Sequence, residues 1–175
     1  LLSFALRSYF ADTLLARAKS RGSLPLYQNA IETFPAKNPF YLSDYTQEIA
    51  SYAKNGENAT LAQKAETLAQ TTTAIAPNNL ITQRRIVSSY ILIADIDPAY
   101  KERTVNEAQK LINLAPTDPQ SFLSLTKANV AAGKTDEAKK TVEKALEMKP
   151  DYVDARELLQ QINQKIVERD KTIDN

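Results

Sequence analysis

Gly133-Lys134-Thr135 has the residue types that close a phosphate-binding loop: a glycine that lets the backbone wrap a phosphate, a lysine to neutralise it and a hydroxyl for magnesium. Such a loop also needs a glycine five residues upstream and a strand leading into it. The upstream position is Ala128, and the run before it reads as helix. The tripeptide is therefore read as a turn between two helices, with Thr135 or Asp136 expected to cap the second. Ser124 and Lys127 have the spacing of a serine–lysine nucleophile pair, but the Ser-Asp-Asn and Lys-Thr-Gly elements that such enzymes also carry are missing. Asp95, Asp97 and Glu102 offer oxygen ligands for a hard cation, without the alternating ladder and sharp-turn glycine of a calcium loop; they read as a polar turn. Asn58-Ala59-Thr60 is a glycosylation acceptor only in a eukaryotic secretory setting. Arg84-Arg85 is too small a basic spot to make a nucleic-acid site.

The residues that are missing narrow the chemistry further. Among 175 residues there is no histidine and no cysteine. The commonest general base, thiol chemistry and the usual zinc ligands are thereby gone, and no cofactor is expected. Lack of cysteine leaves the compartment open. A formal net charge of +1 provides no single-sign field to attract nucleic acid.

Candidate side chains must be positioned by helices. Only three glycines and eight prolines interrupt a chain rich in good helix formers. Gly22, Gly56 and Gly133 each lie between two helical stretches, where φ > 0 at low cost suits a helix C-terminus. Pro35, Pro77, Pro116 and Pro150 each follow a helix-periodic run: "LYQNAIETFP", "AQTTTAIAP", "AQKLINLAP" and "TVEKALEMKP". Asn, Asp or a further Pro opens the next helix in "AKNP", "NN", "TDP" and "DYVD". The prolines are spaced by 42, 39 and 34 residues.

Within 119–152, Phe122, Leu125, Ala138, Val142, Ala145 and Pro150 fall where a tetratricopeptide repeat has its signature residues. Phe10, Ala11, Leu14, Tyr27, Ala30 and Pro35 match in the first repeat; Ile86, Val87, Tyr90, Ala108 and Leu111 match in the third, where "DIDPAY" replaces the glycine turn. Asn129 stands where a large residue is usual. The chain resembles a tetratricopeptide repeat (TPR) domain over nearly its whole length. The expectation is an all-α, right-handed α-solenoid of about four hairpins (4–37, 38–79, 80–118, 119–152) closed by a capping helix over 153–170. Ala155, Leu158, Leu159, Ile162 and Ile166 form that helix's apolar stripe, and "KTIDN" is a frayed tail.

The resemblance implies a non-catalytic scaffold that binds a protein or peptide on a concave face lined by the first helix of each hairpin. Projecting the pattern gives Ser8, Asp12, Leu42, Thr46, Arg84, Ser88, Leu123 and Lys127 as exposed positions there. The Lys/Asn/Arg clamp of repeats that bind chaperone C-termini is not reproduced; Arg84 and Lys127 alone could meet an anion. A second resemblance rests on the run from "LRSYFADTLLARAKSRGSLPLYQNAIETFPAKNPFYLSDY" to "IADIDPAYKERTVNEAQKLINLAPTDP". It is similar in style to the soluble C-terminal repeat region of bacterial O-antigen ligase or polymerase-like membrane proteins. That implies an accessory domain outside the cytoplasmic membrane, attached through a segment upstream of Leu1; otherwise a cytoplasmic scaffold is expected. The start at Leu1 reads as a fragment or a processed product.

Overall fold

A computed structural model of the chain describes residues 2–34 and 38–173. Among them nine helices and no strand occur: α1 (Leu2–Arg21), α2 (Leu24–Thr33), α3 (Pro39–Asn55), α4 (Ala59–Ile75), α5 (Leu80–Ile93), α6 (Pro98–Leu114), α7 (Pro119–Ala131), α8 (Thr135–Met148) and α9 (Val153–Ile173). Helix starts follow from side chains that accept orphan backbone amides. The side chains of Asn38, Asn58, Asn79 and Asp97 accept from the N–H of Phe40, Leu61, Thr82 and Ala99, at 2.8–3.0 Å. Asp118 accepts from Gln120 and Ser121. Helices α4, α6 and α8 each end two residues before their proline, Pro77, Pro116 and Pro150. Pro35 lies outside the described residues.

Three details depart from the sequence reading. Helix α8 is not capped by Thr135 or Asp136: Lys134 is the N-cap without a side-chain hydrogen bond, and the other two are the first helical residues. The turn bond Lys134 N–H to Asn129 O leaves no non-helical position for them. Gly22 and Gly133 have φ of +57° and +76°, as expected, but in the α3–α4 turn the left-handed residue is Glu57, at +47°, while Gly56 has φ −107°. Each left-handed residue precedes the amide that closes a six-residue loop: Ser23 to Ala18 O, Asn58 to Ala53 O and Lys134 to Asn129 O. Gly56 stands one position too early to fill that role. Finally, α9 continues through Ile173 instead of fraying after 170. No breaker intervenes, and Thr172 Oγ1 donates to the carbonyls of Glu168 and Arg169; Asp174 and Asn175 lie outside the described residues.

The helices stack as a continuous array. Each packs on the next in sequence, and α3 on α5 and α5 on α7 in addition. The largest core cluster joins Tyr27, Tyr45, Ile49, Ile86, Tyr90 and Ile93 across α2, α3 and α5, with small Ala50, Ala53, Ala62, Ala65 and Ala69 admitting α4. Burying a side chain such as Ile49 fully contributes roughly 1.5–3 kcal/mol relative to leaving it in water. Val87, Ala108, Leu111, Leu125 and Ala128 continue the core toward the C-terminus, and Leu123, Ala138, Val142, Ala145, Ala155 and Ile162 complete it. Of the expected signature positions, Phe10 is the misfit. Ala11, Tyr27 and Ala30 are buried as expected, whereas Phe10 points to solvent, because the small Ala11 and Ala18 make the contact with the stack.

Helix α1 is joined to α3 by polar reach. Tyr41 donates its hydroxyl to Asp12, Tyr52 donates to the Gly22 carbonyl at 2.6 Å, and Lys19 pairs with Asp44 at 2.6 Å.

Candidate functional site

Two of the pockets that open on the first helices of the hairpins lie on either side of the Arg84–Arg85 pair of α5. The larger, about 570 Å3, is formed by Lys19 of α1, Asp44, Gln47, Glu48 and Ser51 of α3, and Arg85 and Leu92 of α5, with Tyr27 of α2 beneath. The mostly buried Asp44 carboxylate lies between two cations, Lys19 at 2.6 Å and Arg85 at 3.2 Å. The Arg85 guanidinium also lies over the Phe40 ring, 4.7 Å from its centroid, which fixes its plane. Burial first, and then the negative charges of Glu48 and Asp44, push the Tyr27 phenol up to about 12. It therefore stays a neutral hydroxyl across the physiological range.

The smaller pocket, about 140 Å3, lies where α5 and α7 meet the start of α9. Four expected site residues meet there: Arg84, Ser88, Leu123 and Lys127, joined by Gln120, Ser124, Tyr152 and Asp154. Arg84 pairs with Asp118, the N-cap of α7. Burial alone would raise the Asp118 carboxyl, but hydrogen bonds from Ser121, Arg84 and the Gln120 amide, with the Arg84 charge, hold it below the ordinary aspartate value. The Tyr152 hydroxyl is pushed up, chiefly by burial and then by Asp154 and Asp118, against the opposing charge of Arg84. Lys127 is exposed.

The other expected positions lie elsewhere. Ser8 is half-buried, with its hydroxyl donating to the Phe4 carbonyl at 3.0 Å. Asp12 is exposed but accepts from Tyr41. Leu42 and Thr46, expected to be exposed, are buried, and Thr46 Oγ1 donates to the Leu42 carbonyl at 2.6 Å. Leu123 lines the smaller pocket but is itself almost fully buried. The correction has one cause. Helix α3 packs on both α4 and α5, and α7 on α5, α6 and α8, so the apolar faces of these helices are wider than a single hairpin requires. On α3 the open strip is Asp44, Gln47, Glu48 and Ser51, at helical i, i+3, i+4 and i+7 spacing. Its complement, Tyr41, Tyr45 and Ile49, is visible in the sequence as a bulky stripe.

The remaining motifs serve structure. Gly133 makes the α7–α8 turn, and Lys134 pairs with Glu102 at 2.9 Å. Ser124 Oγ donates to the Gln120 carbonyl at 2.9 Å, so its hydroxyl is engaged by its own helix. Asn58 and Asp97 are N-caps. No group of three or more potential metal-ligating side chains converges among the described residues.

Compared by sequence, the chain matches no family model and no curated protein. Solved structures do match. MamA (41-end) from Desulfovibrio magneticus RS-1 has a TM-score of 0.66 at 15% identity, with 96% of this chain and 90% of that chain covered. A thermophilic TPR protein of Thermus thermophilus gives 0.68 at 16% identity, with 93% and 82% covered. The first TPR domain of human RPAP3 gives 0.56 at 17%, with 77% and 98% covered. None of these comparisons supports the resemblance to O-antigen ligase-like proteins. At such identities the likeness is one of architecture, and on that ground this chain is an all-α helical-repeat solenoid with a TPR-like fold.

Proposed function

We propose that the chain is a non-catalytic scaffold that holds an extended protein segment along the concave face of its first helices. The observation that carries this reading is the pair of pockets on α1, α3, α5 and α7, polar at the walls and joined through α5. Arg85 and Leu92 line the larger, while Arg84, Ser88 and Ile91 line the smaller. Such a surface offers hydrogen-bond donors and acceptors at fixed positions with little apolar area, which favours a polar peptide bound with modest affinity. The residues assigned to contact are Ser88, Ser124, Lys127 and Tyr152 in the smaller pocket and Gln47, Glu48 and Ser51 in the larger. Arg84 contributes by position, since its charge is committed to Asp118. A catalytic reading finds little here: both pocket phenols are pushed above their ordinary value, and the Ser124 hydroxyl is engaged by its helix.

The test is selection of peptides from a displayed random library against the chain. Selected peptides should bind in the micromolar range and lose about tenfold with Lys127→Glu or Glu48→Lys, while Glu143→Lys on the exposed face of α8 has no effect. Recovery of no peptide, or binding indifferent to both groove substitutions, would refute the proposal.

A further inference from the structure

Helix α1 has a second apolar face that the stack does not use. Leu6, Tyr9 and Phe10 are 51%, 67% and 56% exposed, three large apolar residues within five positions, whereas Phe4, seven residues before Ala11, lies on the packed side with its ring edge-to-face on Phe34. The rings of Tyr9 and Phe10 pack edge-to-face on each other at 5.9 Å. Helical spacing extends the face of Leu6 and Phe10 to Thr13, Arg17 and Arg21, turned by roughly 100° from the buried line of Ala11 and Ala18. Arg7, Arg17 and Arg21 make no ion pair among the described residues, whereas Asp12, the one acidic residue of α1, accepts from Tyr41. The outer face is thus aromatic, aliphatic and cationic, with no free anion.

We infer that α1 docks on an anionic lipid surface, its Leu6–Tyr9–Phe10 face entering the headgroup region and its arginines meeting lipid phosphates. Two observations favour this occupant over a second copy of the chain. A pairing of this face with itself would bring Arg17 and Arg21 of two copies together with no carboxylate on the face to meet them, since Asp12 lies on the side turned to Tyr41 of α3. The open apolar area of Leu6, Tyr9 and Phe10, roughly 300 Å2 if each side chain exposes about half of some 200 Å2, is well under half of the roughly 800 Å2 per partner in a stable protein interface. A bilayer needs neither shape complementarity nor that area: aromatic rings at headgroup depth and basic side chains beside them are the composition of helices that lie in the interface. No helix among the described residues is long and apolar enough to cross a membrane, so the contact runs along the surface.

The experiment is flotation of the chain with vesicles of phosphatidylglycerol in phosphatidylcholine, and with phosphatidylcholine alone. The chain contains no tryptophan, so Tyr9→Trp adds a single reporter at the centre of the face. Anionic vesicles should carry the protein up the gradient and shift the emission of that indole to the blue; neutral vesicles should do neither. Arg17→Glu should weaken binding by roughly fivefold or more, and Leu6→Ser/Tyr9→Ser/Phe10→Ser should abolish it with the helical circular dichroism retained. Failure of the unaltered chain to float with anionic vesicles would overturn the inference. Equal binding to neutral vesicles would do so too, as would a concentration-dependent dimer that the triple substitution dissolves.

Discussion

The two ends of this solenoid carry comparable amounts of apolar residue and use them in opposite ways. Helix α9 turns Ala155 and Ile162 fully into the stack, with Leu158, Leu159 and Ile166 packed beside them, and shows mostly charged and amide side chains outward. Helix α1 buries only Ala11 and Ala18 completely and leaves its bulkiest residues outside. A repeat array must be closed by polar surface at each end or covered by something else. Helix α9 offers such a surface among the described residues, while α1 presents aromatic rings. Apolar content says that a helix has a greasy side; only the contacts say whether that side belongs to the core.

Stability measurements can break this comparison. Ile162→Ala should cost about 2–4 kcal/mol by cavity formation, read as the chemical-denaturation midpoint, whereas Phe10→Ala should stay within about 0.5 kcal/mol despite removing more atoms. Similar losses at both sites would mean that α1 is seated as firmly as α9, and the contrast would be lost. A smaller effect belongs to the middle of the stack. Asp118→Ala removes an N-cap and the partner of Arg84 and should cost about 1–2 kcal/mol. The Asp118 carboxyl is held below its unfolded value of about 3.9, so its contribution is complete above about pH 5 and falls away as pH drops through the depressed folded value. Asp118→Asn, which keeps a capping oxygen, should flatten that part of the acid-unfolding curve; an unchanged curve would show that the pairing with Arg84 has no energetic weight. The smallest change sharpens the turn comparison. Glu57→Gly should stabilise by about 1 kcal/mol by relieving a left-handed backbone, while Gly133→Ala, with open space around the new methyl group but φ of +76°, should destabilise by a similar amount. If thermal melts moved the same way for both, backbone conformation would not be the deciding factor.

These cases also mark where sequence is an adequate guide. Glycine and proline punctuation, with Asn or Asp at helix starts, makes the succession of helices readable because each signal acts over four or five residues. The face of a helix is set by neighbours far along the chain, and there local pattern is a poor guide. Arg84, Ser88, Leu123 and Lys127 do gather at one pocket, but Leu42 and Thr46 turn inward because α5 packs against α3. Phe10 fits a core signature by its type, although the neighbouring alanines do the packing. Gly56 fits the composition of a turn but stands one residue before the backbone position that needs it.

The adjacent arginines of α5 have a mechanical consequence. Arg84 is tied forward to the cap of α7 and Arg85 backward to Asp44 of α3, so consecutive residues brace the coil in both directions. These ties add to the apolar contact of Ile49 with Ile86, Tyr90 and Ile93, so the central turns of the spring are stiffer than the first, where the fully buried residues of α1 are only Ala11 and Ala18 and its reach to α3 is polar. Extended from its two termini in an optical trap, the molecule should give way at α1–α2 before the α3–α7 segment yields, and Arg84→Ala/Arg85→Ala should merge the two rupture events into one.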